Sequence, residues 1–210
     1  ELPGIEVHAG RLDDADMERE LSGASIVVDA THPFATLASG NIRAASLAVG
    51  ARCLRLARPV EALPKGVVPV ASIACAARFL SENPGRALLT TGSKELAPYT
   101  SVADFAERFF VRVLPLPGAI TKCIDAGFSP SHVIGMQGPF TRELNEAMLR
   151  QVGAQWLVTK DSGTVGGTAE KLAAARDVGA RCIVVTRPAE GSGALSLREV
   201  EDVLLREFAR

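Results

Sequence analysis

Short apolar runs alternate with longer stretches of helical spacing along the chain. The runs fall at 5–7, 26–29, 53–56, 67–70, 87–90, 109–113, 132–134, 156–159 and 182–185. They read as apolar throughout rather than alternating, the pattern of strands buried on both faces of a parallel sheet. Helical patterns occupy 13–21, 35–49, 73–80, 141–152, 168–178 and 196–208. Asp13, Asp14 and Asp16 suit the positive end of the first helix, and Ser72 is placed to cap the third. Gly179 follows the fifth, where a left-handed residue ends a helix. In the last, Leu197, Val200, Val203, Leu204 and Phe208 recur on one face. Strand–helix alternation of this kind predicts an α/β protein with mainly parallel sheets.

Ser81, Glu82, Asn83, Pro84 and Gly85 break a helix just before a new strand, so the pattern predicts two domains, 1–84 and 85–210. With 210 residues, 47% of them hydrophobic, and a net charge of -1, the chain can build a core and is not disordered. No basic run is present, which excludes a nucleic-acid-binding module. No uncharged apolar stretch reaches the ~18 residues of a membrane span. Cys53, Cys75, Cys123 and Cys182 form no CxxC pair, so they are expected to be buried, reduced thiols of a cytoplasmic protein without a metal site. Nothing in the pattern demands more than a monomer.

Ligands of open α/β sheets bind outside the carboxyl ends of the strands. Four strand ends here lead into helices through small, hydroxyl and glycine residues: 29–35, 90–96, 135–141 and 159–167. Glycine lets a backbone approach a ligand, and helix-start amides favour a phosphate or carboxylate. Each helix terminus contributes only about 0.3–1 kcal/mol toward an anion, so several must converge. Plainer readings stand beside this one. Thr31 and Ser93 suit helix caps, and Gly166-Gly167 a tight turn. His32 is either tied to backbone or a proton donor; Lys160 neutralises an anionic ligand or pairs with a neighbouring acid. Asp29 suits a turn cap better than a base, and His8 and His132 read as structural. No GxxxxGK[ST], GxSxG, HExxH or GxGxxG motif occurs. The residues alone therefore predict a two-lobed α/β protein with an anion-binding cleft between its lobes.

Four motifs carry a resemblance. They are Val27-Val28-Asp29-Ala30-Thr31-His32-Pro33-Phe34-Ala35 with Asn41-Ile42-Arg43-Ala44-Ala45, Leu89-Thr90-Thr91-Gly92-Ser93-Lys94-Glu95-Leu96, Met136-Gln137-Gly138-Pro139-Phe140, and Lys160-Asp161-Ser162-Gly163. Arg187-Pro188 comes after the last strand. In this order they resemble the precorrin-6A and cobalt-precorrin-6A reductases of corrin-ring (vitamin B12) biosynthesis. The resemblance runs from Ile5 onward. It implies two Rossmann-like lobes that reduce one double bond of a macrocyclic tetrapyrrole with NADPH or NADH, both ligands being polyanions.

On this resemblance Thr31, His32, Pro33 and Phe34, with Thr90, Gly92 and Ser93, are expected at the cofactor. Gln137, Gly138, Lys160, Ser162 and Gly163 are expected at the macrocycle. His32 and Lys160 are the candidate catalytic groups, and water can deliver the proton. The family opens with a strand and a GGTxE-type turn, whereas this chain opens at Glu1. Roughly 40–50 preceding residues are therefore expected in the gene product, the size of such a half-unit. Two rivals share the pattern: a non-redox, uroporphyrinogen-III synthase-like enzyme, and a non-catalytic ligand-binding module.

Overall fold

A computed structural model describes residues 5–8, 10, 12–59, 62–163, 166–189, 191 and 193–208. The chain divides into two compact units, Glu1–Pro59 with Ala189–Arg210, and Val60–Pro188.

The first unit begins with α1 (Asp14–Leu21), whose N-terminus is capped by Asp13 accepting the Asp16 N–H at 2.8 Å. β1 (Ile26–Asp29) and β2 (Arg52–Arg55) pair in parallel, joined by the crossover helix α2 (Thr36–Ala48). The run at 5–7 forms no strand: Ile5 is 60% exposed and Val7 83%. No described strand pairs with it, and an extended segment without a ladder partner gains no hydrogen bonds to hold it.

The second unit is one six-stranded sheet. Its elements are β3 (Val68–Val70), α3 (Ile73–Glu82), β4 (Ala87–Leu89), α4 (Ala97–Thr100), α5 (Phe105–Arg108), β5 (Phe109–Val113), α6 (Pro117–Asp125), β6 (Val133–Gly135), α7 (Arg142–Val152), β7 (Trp156–Lys160), α8 (Thr168–Asp177) and β8 (Arg181–Val185). The strand order is β3-β8-β7-β4-β5-β6, all parallel. The chain runs outward from β4 through β5 to β6, then returns to the other side of β4 for β7 and β8. The order thus reverses between β4 and β7. One face buries Leu88, Phe110 and Leu157 under α7 and α8, with Met148, Leu149, Val152 and Leu172. Fully buried Trp156 meets Phe79 of α3 edge-on at 5.2 Å.

The domain boundary expected at 84 falls inside this unit. β3 pairs with β8, so the segment 60–84 is built into the same sheet as residues 85–188. The Pro84-Gly85 turn is tied down, since Trp156 Nε1–H donates to the Pro84 carbonyl at 3.3 Å. His132 lies in a 3-10 turn (Pro130–His132) before β6 rather than in the strand; its Nδ1 is 3.1 Å from the Phe109 carbonyl and its ring stacks on Phe110. After β8 the chain returns to the first unit, where Leu195 bridges Leu56 and leads into α9 (Leu197–Phe208). Ser196 N–H and Oγ–H both donate to Glu199 at 2.7 Å, a capping box that starts α9 one residue later than the pattern predicts.

All four cysteines are free; Cys123 and Cys182 are buried, but Cys53 and Cys75 are only half-buried, which corrects the expectation for those two. Among the described residues no metal-ligating cluster occurs and no helix is long and apolar enough to cross a membrane.

Candidate functional site

The carboxyl ends of β4, β5 and β6, with the start of α8 and the turn before it, surround a cavity of about 940 Å3. It spans the point where strand order reverses, the position at which open α/β sheets bind ligands. Thr90 and Gly92 reach it from β4, Arg112, Val113 and Leu114 from β5, Met136 to Arg142 (less Gln137) from the loop after β6, and Gly166, Gly167, Glu170 and Lys171 from α8 and the turn before it.

Two buried cations dominate its chemistry. Arg112 is 5% exposed and Lys171 8%. Arg112 interrupts the apolar strand Phe109–Val113 and projects against α7, where Nη1 donates to Asn145 Oδ1 at 2.8 Å. Its guanidinium lies 3.8 Å from the centroid of the Phe140 ring. Asn145 is oriented in turn by donating to the Thr141 carbonyl at 2.8 Å. Lys171 Nζ donates to the Gly166 carbonyl at 2.8 Å and to Thr159 Oγ1 at 3.4 Å. Both cations thus have neutral partners, and neither forms a salt bridge among the described residues. Burial pushes the Arg112 guanidinium down to about 10. Burial, and then the charge of Arg112, push the Lys171 amine down to about 8, against the opposing pull of Glu170. Uncompensated buried charge costs several kcal/mol per ion, so a site that retains two such cations is suited to an anionic ligand.

The turn before α8 is set by a close approach. A Cβ on Gly166 would lie 1.8 Å from Ser162 Oγ. Ser162 N–H donates to Thr168 Oγ1 at 3.2 Å, and the two hydroxyls are 3.1 Å apart. Gly138 fits under Phe140 in the same way, with the ring 2.9 Å from where a Cβ would stand. Thr164 and Val165, in the strand-end run of the sequence, lie outside the described residues.

Of the residues expected at a ligand, Thr90, Gly92 and Gly138 line this cavity. Ser93, Gln137, Lys160, Ser162 and Gly163 do not. Lys160 forms a salt bridge with Glu95 at 3.2 Å. Gly163 takes a left-handed φ of 67° beside Arg187, which grips Asp161 through Nε at 2.8 Å and Nη2 at 3.0 Å. The remaining expected residues belong to the first unit. Thr31 donates to Asp29 from N–H at 3.0 Å and from Oγ1 at 2.7 Å, and its hydroxyl is 2.8 Å from that of Ser39. His32 Nδ1 accepts the Phe34 N–H at 3.3 Å, and the two rings stack at 5.7 Å with Pro33 between them in sequence.

Sequence reasoning missed Arg112, Asn145 and Lys171. Arg112 carried a usable signal, a charged residue inside an otherwise apolar five-residue strand. Lys171 carried none, because a lysine one turn into a helix normally reads as solvated.

Fold and site together define a parallel α/β protein with a cavity lined by two buried basic side chains at its strand-order reversal. The chain belongs to the precorrin-6x reductase CbiJ/CobK family, whose model matches residues 1–205. It is 40% identical to a cobalt-precorrin-6A reductase of Methanothermobacter thermautotrophicus, over 83% of this chain and 59% of that protein. It is 35% identical to one of Priestia megaterium, over 88% of this chain and 74% of that protein. Among solved structures it resembles CobK precorrin-6A reductase, with a TM-score of 0.71 and 26% identity over 93% of this chain and 80% of that one. The chain thus spans 59% to 74% of the length of these two curated relatives.

Proposed function

We propose that this chain serves the nicotinamide-dependent reduction of one ring double bond of a precorrin-6A macrocycle, a step of cobalamin biosynthesis. The observation that carries the reading is the family match across residues 1–205, which draws on both units and favours a reductase over the non-redox and non-catalytic alternatives. The relatives at 40% and 35% identity both carry the cobalt-precorrin name, so the cobalt-bearing macrocycle is the form proposed.

The residues present fit a nicotinamide cofactor through backbone more than through side chains. Gly92 sits at φ +82° with nothing within 4 Å of where a Cβ would be, an open main-chain surface after β4. The hydroxyls beside it are engaged, Thr90 Oγ1 with the Val158 carbonyl at 2.9 Å and Thr91 Oγ1 with Tyr99 OH at 3.3 Å. When bound, NADPH or NADH supplies the hydride. The chain's share is to bind and orient. Thr31, His32, Pro33, Phe34, Thr90, Gly92 and Ser93 are the residues proposed toward the cofactor. Gln137, Gly138, Lys160, Ser162 and Gly163 are proposed toward the macrocycle. Lys160 and His32 are the proposed catalytic candidates, with water as the final source of the proton.

The test is anaerobic incubation of the protein with precorrin-6A or cobalt-precorrin-6A and each reduced nicotinamide, following cofactor absorbance. Oxidation dependent on the macrocycle is expected, faster with the cobalt form. No oxidation with either macrocycle overturns the reading.

A further inference from the structure

We propose that Arg112 and Lys171 together form an oxyanion subsite that holds one carboxylate arm of the macrocycle. The ligand class rests on the reductase reading; the subsite itself rests on geometry. Both side chains are more than nine-tenths buried, both line the cavity, and both lack a carboxylate partner among the described residues. Both also keep donors in hand. Arg112 uses Nη1 for Asn145 Oδ1 and, at 3.4 Å, Met148 Sδ. Its other N–H groups have no hydrogen-bond partner among the described residues. No fully buried side-chain nitrogen there lacks one, so these groups are solvent-accessible, on a residue that lines the cavity. Lys171 spends two of its three N–H donors, on Gly166 and Thr159.

The pair is held in place before any ligand arrives. Phe140 stacks on the guanidinium, and Asn145 fixes its edge. Such preorganised donors bind an oxyanion without a further ordering cost. The remaining wall decides which oxyanion. Val113, Leu114, Met136, Pro139 and Phe140 present an apolar surface suited to the flat body of a tetrapyrrole, with the cations placed for its carboxylates. A nucleotide phosphate offers the same anionic oxygens on a polar sugar, which that surface matches poorly.

Seating a carboxylate also shifts a proton. The charged groups near Lys171 are Arg112 on β5, Glu170 on its own helix, and Arg142 at the start of α7. Arg142 is paired with Glu146 and Asp177, and the hydrogen-bond partner from β7 is the neutral Thr159 hydroxyl. The amine, depressed to about 8, is largely neutral at pH 8.5, and a bound carboxylate draws its proton back.

Uroporphyrin III, a stable tetrapyrrole octacarboxylate, serves as the probe in titration calorimetry at pH 8.5, run in two buffers of different ionisation enthalpy. Uptake of more than half a proton per uroporphyrin bound is expected. The affinity should fall with a slope approaching tenfold per pH unit above pH 8. Lys171→Met should abolish that slope, and Arg112→Gln should weaken uroporphyrin binding at least tenfold while leaving NADPH binding within twofold. The wild-type arm needs no variant to fold. Failure of uroporphyrin to bind, or binding without proton uptake, overturns the proposal. Uptake seen with NADPH or inorganic pyrophosphate but not with uroporphyrin assigns the pair to a phosphate and overturns the carboxylate assignment. Proton-linked uroporphyrin binding by a protein that never oxidises NADPH or NADH with either precorrin-6A or cobalt-precorrin-6A sustains the subsite and sinks the reductase reading instead.

Discussion

Asp29 and Arg55 end neighbouring parallel strands as register partners, and Arg55 Nη1 donates to the Asp29 carboxylate at 3.0 Å. Asp29 is 3% exposed, and Thr31 adds its N–H and hydroxyl to the same carboxylate oxygen. Two residues of the most distinctive sequence motif therefore spend their polar atoms holding the turn after β1 in shape.

Burial alone would raise the Asp29 carboxyl, but the hydrogen bonds from Thr31 and Ser39 and the charge of Arg55 outweigh it and hold it below 3.8. Asp29→Asn removes the buried carboxylate charge that the Thr31 and Arg55 hydrogen bonds hold and is expected to cost about 3 kcal/mol at pH 7. A carboxyl depressed in the folded state stabilises fully above its unfolded value and loses that contribution as pH falls through the folded one. The gap between wild type and variant should thus be constant above about pH 5 and close below pH 4. Urea unfolding at stepped pH measures it; a gap independent of pH would show that Asp29 is not the charged anchor.

Gly166→Ala is expected to destabilise by more than the ~1–3 kcal/mol usual for overpacking, because the new Cβ falls 2.1 Å from Ser162 Cβ as well as on its hydroxyl. Adding Ser162→Gly removes both clashing atoms and should recover part of the loss. Thermal unfolding of the two single variants and the double variant reads this coupling directly. Strict additivity would mean the two residues do not meet.

Legibility in the sequence tracked burial. β5 and β7 are apolar and nearly or fully buried, and their patterns place them to within a residue. α6 was not legible: Pro117 opens it as an N1 proline can, but Gly118 beside it, with β-branched Ile120 and Thr121, imitates a loop. The two units divide at 59–60 and 188–189. Pairing of β3 with β8 is a contact across more than a hundred residues, and no local composition encodes it. At the site, the glycines and hydroxyls of the strand ends gave away the loops around the cavity. They did not give away its charge, which comes from a strand interior at Arg112 and a helix at Lys171.

Arg187 grips Asp161 with two parallel N–H bonds, both side chains nearly buried at 7% and 12% exposure. The contact stitches the exit of β7 to the exit of β8, next to the Asp161 N–H bond to Val185. Arg187→Lys keeps the charge and loses the fork, so a loss of about 1–2 kcal/mol is expected. Arg187→Met strands the carboxylate and should cost about 3–5 kcal/mol. Denaturant melts of the three proteins give the order, and the lysine variant should fall between the other two. Raising salt to molar levels should change the wild-type value little, since a buried pair is weakly screened.

Lys171 supplies the opposite case, a buried charge that costs stability. Its fall from 10.5 to about 8 corresponds to roughly 3 kcal/mol against folding at neutral pH. Part of that is offset in Lys171→Met by the lost bond to the Gly166 carbonyl, so a net gain of about 1–2 kcal/mol is expected at pH 7. The sign comes from proton counting. Between pH 8 and 10.5 the unfolded chain keeps the proton that the folded one has released, so raising pH favours the folded state. Wild type should therefore gain on Lys171→Met across that window and overtake it near its upper end, once the amine is neutral in both states. Unfolding free energies at pH 7, 8, 9 and 10 test this, and parallel curves would refute it. A variant that is more stable at neutral pH yet binds uroporphyrin without proton uptake would mark Lys171 as a residue kept for its ligand at the expense of the fold.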